Sequence, residues 1–224
     1  MRRRKGKHAR RFIKSMNRKR EDYRIARIAK KVTLSTEEPR YADVSISGTT
    51  PIAGTSLITL LSGIAQGDDF NERDGDQIHL NSIQIKGYIQ DTATATSSVD
   101  TIVRIILVRQ LGDCEGAAPA MTDILTADAV ENLRNFFLRG EYKVYYDKVH
   151  VIRASDDYVT DLVEHVRTIK YYKRFKRPKK LTYKGAASGI ATCRRGHFFL
   201  ITMTNQANTY QPTWDLKARL IFRP

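Results

Sequence analysis

The apolar and polar positions of this chain fall into alternating runs, and the longest of them lies in the first half. Ile78, Leu80 and Ser82, then Ile83, Ile85, Gly87 and Ile89, are set against Gln77, His79, Gln84, Lys86, Tyr88 and Gln90. A period of two over this length predicts one long, half-buried strand across residues 78–90. The phase slips near Ser82–Ile83. One extra residue turns every later side chain to the other face, so a β-bulge there restores the buried side. Residues 64–76 ahead of it form a turn-rich acidic loop. Gly67, Asp68, Asp69, Asn71, Asp74 and Gly75 are residue types that accept left-handed or locally hydrogen-bonded backbone.

The same reading places the other elements. Tyr41–Ser47 alternates and stops at Gly48, and Ser56–Ser62 is short and apolar, either a strand or a helical turn. Thr101–Arg109 is β-branched and nearly continuous, which predicts a strand buried on both faces. Tyr142–Ile152, Val163–Phe175, Leu181–Lys184, His197–Thr204 and Thr213–Phe222 complete the set. Residues 111–140 are the least strand-like. Gly112, Gly116 and Pro119 break the pattern, and Thr122–Leu125 and Asp128–Leu133 read as helical turns with Thr or Asp caps. About eight strands with no crossover helices predict antiparallel pairing in two sheets. The expected fold is all-β, an eight-stranded antiparallel jelly roll, with a closed up-and-down barrel as the alternative.

Charge changes this picture at the N-terminus. The net charge of the 224-residue chain is +15, and residues 1–31 hold 15 Lys and Arg against Glu21 and Asp22, a net of +13. The remaining 24 basic and 22 acidic residues net only +2. This predicts a cationic arm, residues 1–32, on a near-neutral body, residues 33–224. Such an arm attracts polyanions by displacing their counterions. Residues 1–11 are expected to be disordered without a partner. Phe12, Ile13, Met16, Tyr23, Ile25, Ile28 and Val32 fall near helical spacing, so residues 12–32 are expected to form a basic amphipathic helix. The candidate nucleic-acid contacts are Arg2, Arg3, Arg4, Lys5, Lys7, Arg10, Arg11, Lys14, Arg18, Lys19, Arg20, Arg24 and Arg27. A membrane-surface helix and a calmodulin-type target compete with that reading. A second basic run, Lys173, Arg174, Lys176 and Arg177, is interleaved with Tyr171, Tyr172 and Phe175. It fits phosphates with stacked bases, and equally a strand end with a solvated basic turn.

Catalytic chemistry finds little support. Gly67-Asp68-Asp69 matches a polymerase tripeptide, but the chain is too short and the companion carboxylate motifs are missing. The acidic loop lacks EF-hand spacing; its oxygens fit a Ca²⁺ ion shared between chains, or simply cap backbone amides of the turn. The five histidines are scattered, with no His-x-x-x-His or Gly-x-Ser-x-Gly. Cys193 stands beside Arg194, Arg195 and His197 without an orienting Asn or Asp, and reads as a buried strand end. Residues 184–189 are not a Walker loop. Cys114 and Cys193 form no Cys-x-x-Cys pair, so no disulfide framework or zinc site is expected. No apolar run approaches the roughly 20 residues of a membrane helix, and the basic N-terminus lacks the apolar core of a secretory signal.

Several of these stretches carry a resemblance. Gln66-Gly-Asp-Asp69, Arg73-x-Gly-Asp-Gln-Ile78, the long strand that follows, Pro119-x-Met-x-Asp-Ile-Leu125 and Tyr142–Val149 resemble coat proteins of satellite tobacco necrosis virus. They are also similar to capsid proteins of small circular single-stranded DNA viruses. The resemblance implies a jelly-roll capsid protein that self-assembles into the smallest icosahedral shell, of about 60 copies, without enzymatic activity. It implies a basic arm that binds a single-stranded DNA or RNA genome. In the satellite virus calcium sits at subunit contacts. Asp68 matches a carboxylate at one such site, while Asp74 (in place of a serine) and Gln77 align with backbone-carbonyl ligands at another. The arm also has the composition of a nuclear localisation signal, which implies an import receptor and passage through the host nucleus if the genome is DNA. The alternative function is a cellular nucleic-acid-binding β-barrel module with a basic tail.

Overall fold

The structure, a computed structural model, describes residues 20–29, 32, 38–51, 53–90, 100–135, 137–138, 140–152, 166–206 and 211–224. The chain divides into two compact units, residues 1–39 with Arg223 and residues 40–222 with Pro224. In the first unit, residues 20–29 are helical (α1) and exposed along their whole length. Residues 12–19, 30 and 31 of the expected helix lie outside the described residues, as do the arm cations from Arg2 to Lys19.

Among the described residues, the second unit contains nine strands. They are β1 (Arg40–Thr49), β2 (Leu57–Leu60), β3 (Gln77–Gln90), β4 (Thr101–Gln110), β5 (Tyr142–Ile152), β6 (Val166–Tyr183), β7 (Cys193–Arg195), β8 (Phe198–Thr204) and β9 (Thr213–Arg223). One sheet has the order β1-β9-β3-β6-β7 and the other β2-β8-β4-β5. The chain changes sheet at most of its connections, and its ladders are antiparallel. This is the expected jelly roll, with the three-residue β7 added at one edge.

The core explains the strand patterns. Between the sheets, Ile78, Leu80, Ile83, Ile85 and Ile89 of β3 and Trp214, Leu216, Leu220 and Phe222 of β9 meet Ile105 and Leu107 of β4 and Phe198 and Leu200 of β8. These β3 and β9 residues alternate with more exposed ones, because the far face of their sheet is open. β4 and β8 are different. Their other face carries a second cluster, in which Ile106, Val108, Phe199, Ile201 and Met203 pack against Cys114, Met121, Ile124, Leu125 and Val130 of the 111–140 excursion. Covered on both sides, these two strands have no polar face to show, hence their continuous apolar sequence.

The predicted bulge in β3 appears as a register break between Leu80 and Ser82, and both Ser82 and Ile83 are buried. The extra residues lie on the partner strand. Leu80 pairs with Lys179 and Ser82 with Arg174, so Phe175–Pro178 of β6 face Asn81 alone. Pro178, which has no N–H to give a ladder, sits in that irregularity. The two strands expected at 163–175 and 181–184 are therefore one, beginning at Val166 among the described residues. At Gly87 (φ +153°) the strands β3 and β9 approach so closely that a Cβ would lie 2.0 Å from the Asp215 carbonyl oxygen.

In the excursion, Met121–Ile124 forms a single helical turn (α2). Its N-cap is Ala120, and the Asp123 carboxylate accepts the Ala120 N–H at 3.1 Å. Asp128–Leu133, expected as a second helical turn, is bend and turn instead. The Arg104 guanidinium donates to the Val130 and Asn132 carbonyls at 2.9 and 2.6 Å and ties this irregular segment to β4.

Candidate nucleic-acid interface and loop site

The acidic loop is organised by a cation. Arg73 is fully buried. Its Nε donates to the Ile64 carbonyl at 2.9 Å, and its two terminal nitrogens donate to the carbonyls of Gly75 and Gly185. The guanidinium lies 4.1 Å from the centroid of the Tyr183 ring. Arg73 thus ties both ends of its own loop to the 184–189 loop. Sequence reasoning quoted Arg73 but missed this role; the available signal was a lone cation inside a Gly/Asp-rich turn. Beneath it, Tyr183 donates its hydroxyl to the Ser62 carbonyl at 2.8 Å. His197, also fully buried, lies between the Ser62 hydroxyl (3.0 Å from Nδ1) and the Thr182 carbonyl (2.8 Å from Nε2). Burial, above all, keeps this imidazole neutral by lowering its pKa.

The residues matched to calcium ligands are exposed around this centre. Asp74 pairs with Arg40 at 2.7 Å. The Arg40 guanidinium also donates to the carbonyls of Asp69 (3.3 Å) and Glu72 (3.0 Å). Asp68 is exposed, and Gln77 opens β3 at a groove lined by Arg109, Lys180, Arg194 and Arg195. Among the described residues, no three His, Cys, Asp or Glu side chains converge as a metal site within one chain. Cys193 is buried at the start of β7, and burial pushes its thiol to about 12, the opposite of an activated nucleophile.

The basic run on β6 is accessible. Lys173, Arg174, Lys176 and Arg177 are all exposed, the last two within the irregular segment facing Asn81. At the neighbouring Lys179, burial first, then Arg109, Lys143 and Arg177, lowers the ammonium pKa. Of the three aromatics interleaved with these cations, only Tyr172 is exposed. Phe175 packs into the core, with ring centroids 5.5 Å from Tyr145 and 5.8 Å from Phe198. Tyr171 is half-buried, 5.0 Å from Tyr146. The run therefore offers phosphate contacts and one ring for stacking, rather than a platform of three. In α1, Arg20, Arg24 and Arg27 are spaced to share one helix face.

The class of protein follows from comparison with known proteins: a structural protein of the viral coat class. The family model described as satellite tobacco necrosis virus coat protein matches residues 9–223, and the chain belongs to that family. It is 29% identical over 114 residues to the capsid protein of satellite tobacco necrosis virus 1, covering 51% of this chain and 55% of that one. It is 27% identical over 188 residues to the coat protein of satellite tobacco necrosis virus 2, covering 83% and 85% of the two chains. Among solved structures it is similar to that of Desmodium yellow mottle tymovirus (TM-score 0.38, 11% identity, covering 84% and 87%). It is also similar to a 60-mer BFDV capsid protein (TM-score 0.33, 10% identity, covering 84% and 93%). As a coat protein it is a structural component of the virion, not an enzyme.

Proposed function

We propose that this coat protein closes into a small icosahedral shell, of about 60 copies, and packages a single-stranded genome through its cationic N-terminal segment. The observation that carries the proposal is the partition of charge, +13 in residues 1–31 against +2 in the rest. About 60 such segments would bring about 780 positive charges inward, enough to neutralise much of a genome of one to two thousand nucleotides, at one phosphate charge each. Arg20, Arg24 and Arg27, exposed on one face of α1, support the same reading, and Lys173, Arg174, Lys176 and Arg177 add cations from the body. Phosphate contacts do not read the 2′-hydroxyl, so this mechanism serves DNA and RNA alike. Asp68, Asp74 and Gln77 contribute to calcium sites completed by a neighbouring copy. Their exposure fits that arrangement, and an Asp74 that binds through its carbonyl keeps its carboxylate for Arg40. With a DNA genome, the basic segment also serves as the nuclear localisation signal read by an import receptor.

Light scattering on the purified full-length protein, with the 260/280 nm absorbance ratio across the same peak, tests the assembly. The expected result is a megadalton particle rich in nucleic acid. A monomer or small oligomer across a range of pH and Ca²⁺ overturns it.

A further inference from the structure

The sandwich opens along one edge, where β5 of one sheet faces β6 of the other. On β5, Tyr146, Lys148 and His150 lie on the same strand face as Ile152, which is buried in the core. On β6, Arg167 lies on the same face as Ile169, which is in the core, and Tyr171, which packs against it. At a period of two, these positions belong to the apolar interior. Three of them are cationic or titratable instead. Together with Lys170 they line a cavity of about 450 Å³ with no acidic side chain in its wall among the described residues. Lys148, Arg167 and Lys170 enter no ion pair among the described residues. The Tyr146 hydroxyl and His150 Nε2 are 3.1 Å apart, and the Lys148 ammonium lies 5.8 Å from the centre of the Tyr146 ring. An inward cation also blunts an edge strand against pairing with another chain, but one or two suffice for that. Four basic groups around one cavity, beside a phenol, make a site for an oxyanion.

We propose that this mouth between β5 and β6 binds a phosphate group, held by Lys148 and Arg167, with the Tyr146 hydroxyl and a protonated His150 as further donors and Lys170 adding positive charge at the rim. The phosphate is either a nucleic-acid phosphodiester or a free inorganic ion. The site is separate from the N-terminal segment and from the 173–177 run. Its occupancy is linked to pH. His150 faces Tyr146 and Lys148 on its own strand, Arg167 across the mouth, with Lys170 also lining the cavity, and the uncharged Val103 on β4. Burial, then Arg167 and Lys148, disfavours its protonated form. An anion offsets those cations, so binding takes up a proton and strengthens as the pH falls.

Calorimetry on the full-length protein tests this with two probes, inorganic phosphate and a short single-stranded oligodeoxynucleotide. Arg167→Gln and Lys148→Gln are each expected to weaken phosphate binding about tenfold, the loss of one charge-assisted contact. Arg167→Lys retains most of the affinity. Lys217→Gln, on the outer face of the sheet, leaves it unchanged. If oligonucleotide binding falls in parallel, the ligand is a nucleic-acid phosphate; if it does not, the ligand is the free ion. Sulfate, whose charge is constant across this range, is expected to bind more tightly at about pH 5.5 than at about pH 7.5, and His150→Gln removes that difference. Phosphate binding identical to wild type in both Arg167→Gln and Lys148→Gln overturns the proposal and leaves edge protection as the role of these cations.

Discussion

Two cations at opposite ends of the β3–β6 ladder illustrate opposite uses of a charge. Arg73, at the end closed by the 64–76 and 184–189 loops, is fully buried and meets three carbonyls and the Tyr183 ring. Every carbonyl it satisfies belongs to a loop that would otherwise bury an unpaired acceptor, so charge and loop solve each other's desolvation problem. Arg167, at the open mouth, also lies on an inward strand face, yet it remains exposed and enters no ion pair among the described residues. A cation whose acceptors are supplied by the fold holds the fold together. At the mouth, as proposed, the cation takes its acceptors from a bound anion instead. Arg104 stands between the two. It is nearly buried, and is held by the Asp147 carboxylate at 2.8 and 3.0 Å together with two carbonyls of the excursion.

The strongest way to break this contrast is Arg73→Met, which leaves three carbonyls without a partner. It is expected to cost about 3–4 kcal/mol in chemical denaturation; a loss under about 1 kcal/mol would mean that the loops do not depend on it. Asp147→Asn is expected to cost about 2 kcal/mol, because it removes the charge shared by Arg104 and Arg134. Burial raises the Asp147 pKa, but the two guanidiniums outweigh it and hold the carboxyl below its usual range. The stabilisation is therefore complete above about pH 4 and is lost as the pH falls through the lowered folded value, so the acid limb of wild-type stability should flatten in Asp147→Asn. His197 sharpens the closed end. Its folded pKa lies below the unfolded value of about 6.5, so the unfolded chain takes up the proton first and stability falls as the pH drops below about 6.5. Melting temperature measured against pH should show this decline, and His197→Gln should reduce it. The smallest effect belongs to the mouth. Lys148→Gln and Arg167→Gln are expected to change stability by less than about 0.5 kcal/mol, whatever they do to ligand binding.

The sequence made the fold legible where one face of a strand is solvated. In β3 and β9 the alternation survives, and even the phase slip at Ser82–Ile83 is visible. It was also legible in β4, where the absence of alternation is itself the sign of burial on both faces. It failed where a register irregularity hides continuity. Pro178 and the surrounding cations look like a loop between two strands, but they are the irregular middle of β6. Cys193 reads correctly as a buried strand end, but Cys193–Arg195 is too short to show a period and so to be seen as a strand of its own. For the site, exposed cations could be named from composition alone, whereas Tyr171 and Phe175 could not be assigned to the core without knowing that Tyr145, Tyr146 and Phe198 lie opposite them. The mouth was hidden for the same reason. The phase shared by Tyr146, Lys148, His150 and Ile152 is readable, but its meaning depends on Arg167 meeting it from another sheet.

Arg40 is the first residue of β1 and the first of the sandwich. Its side chain is riveted to Asp74, Asp69 and Glu72, and its backbone opens a register of ten residues with β9. If the N-terminal segment holds a polyanion as proposed, a pull on it would enter the sandwich at Arg40, one reinforced point on the acidic loop. Tension along β1 is shared in shear by the whole ladder. Tension directed outward would peel the ladder pair by pair from Arg40, and the ion pair with Asp74 is the first catch it must release. The acidic loop thus acts as a cleat, which holds the first strand of the sandwich against unravelling from its edge.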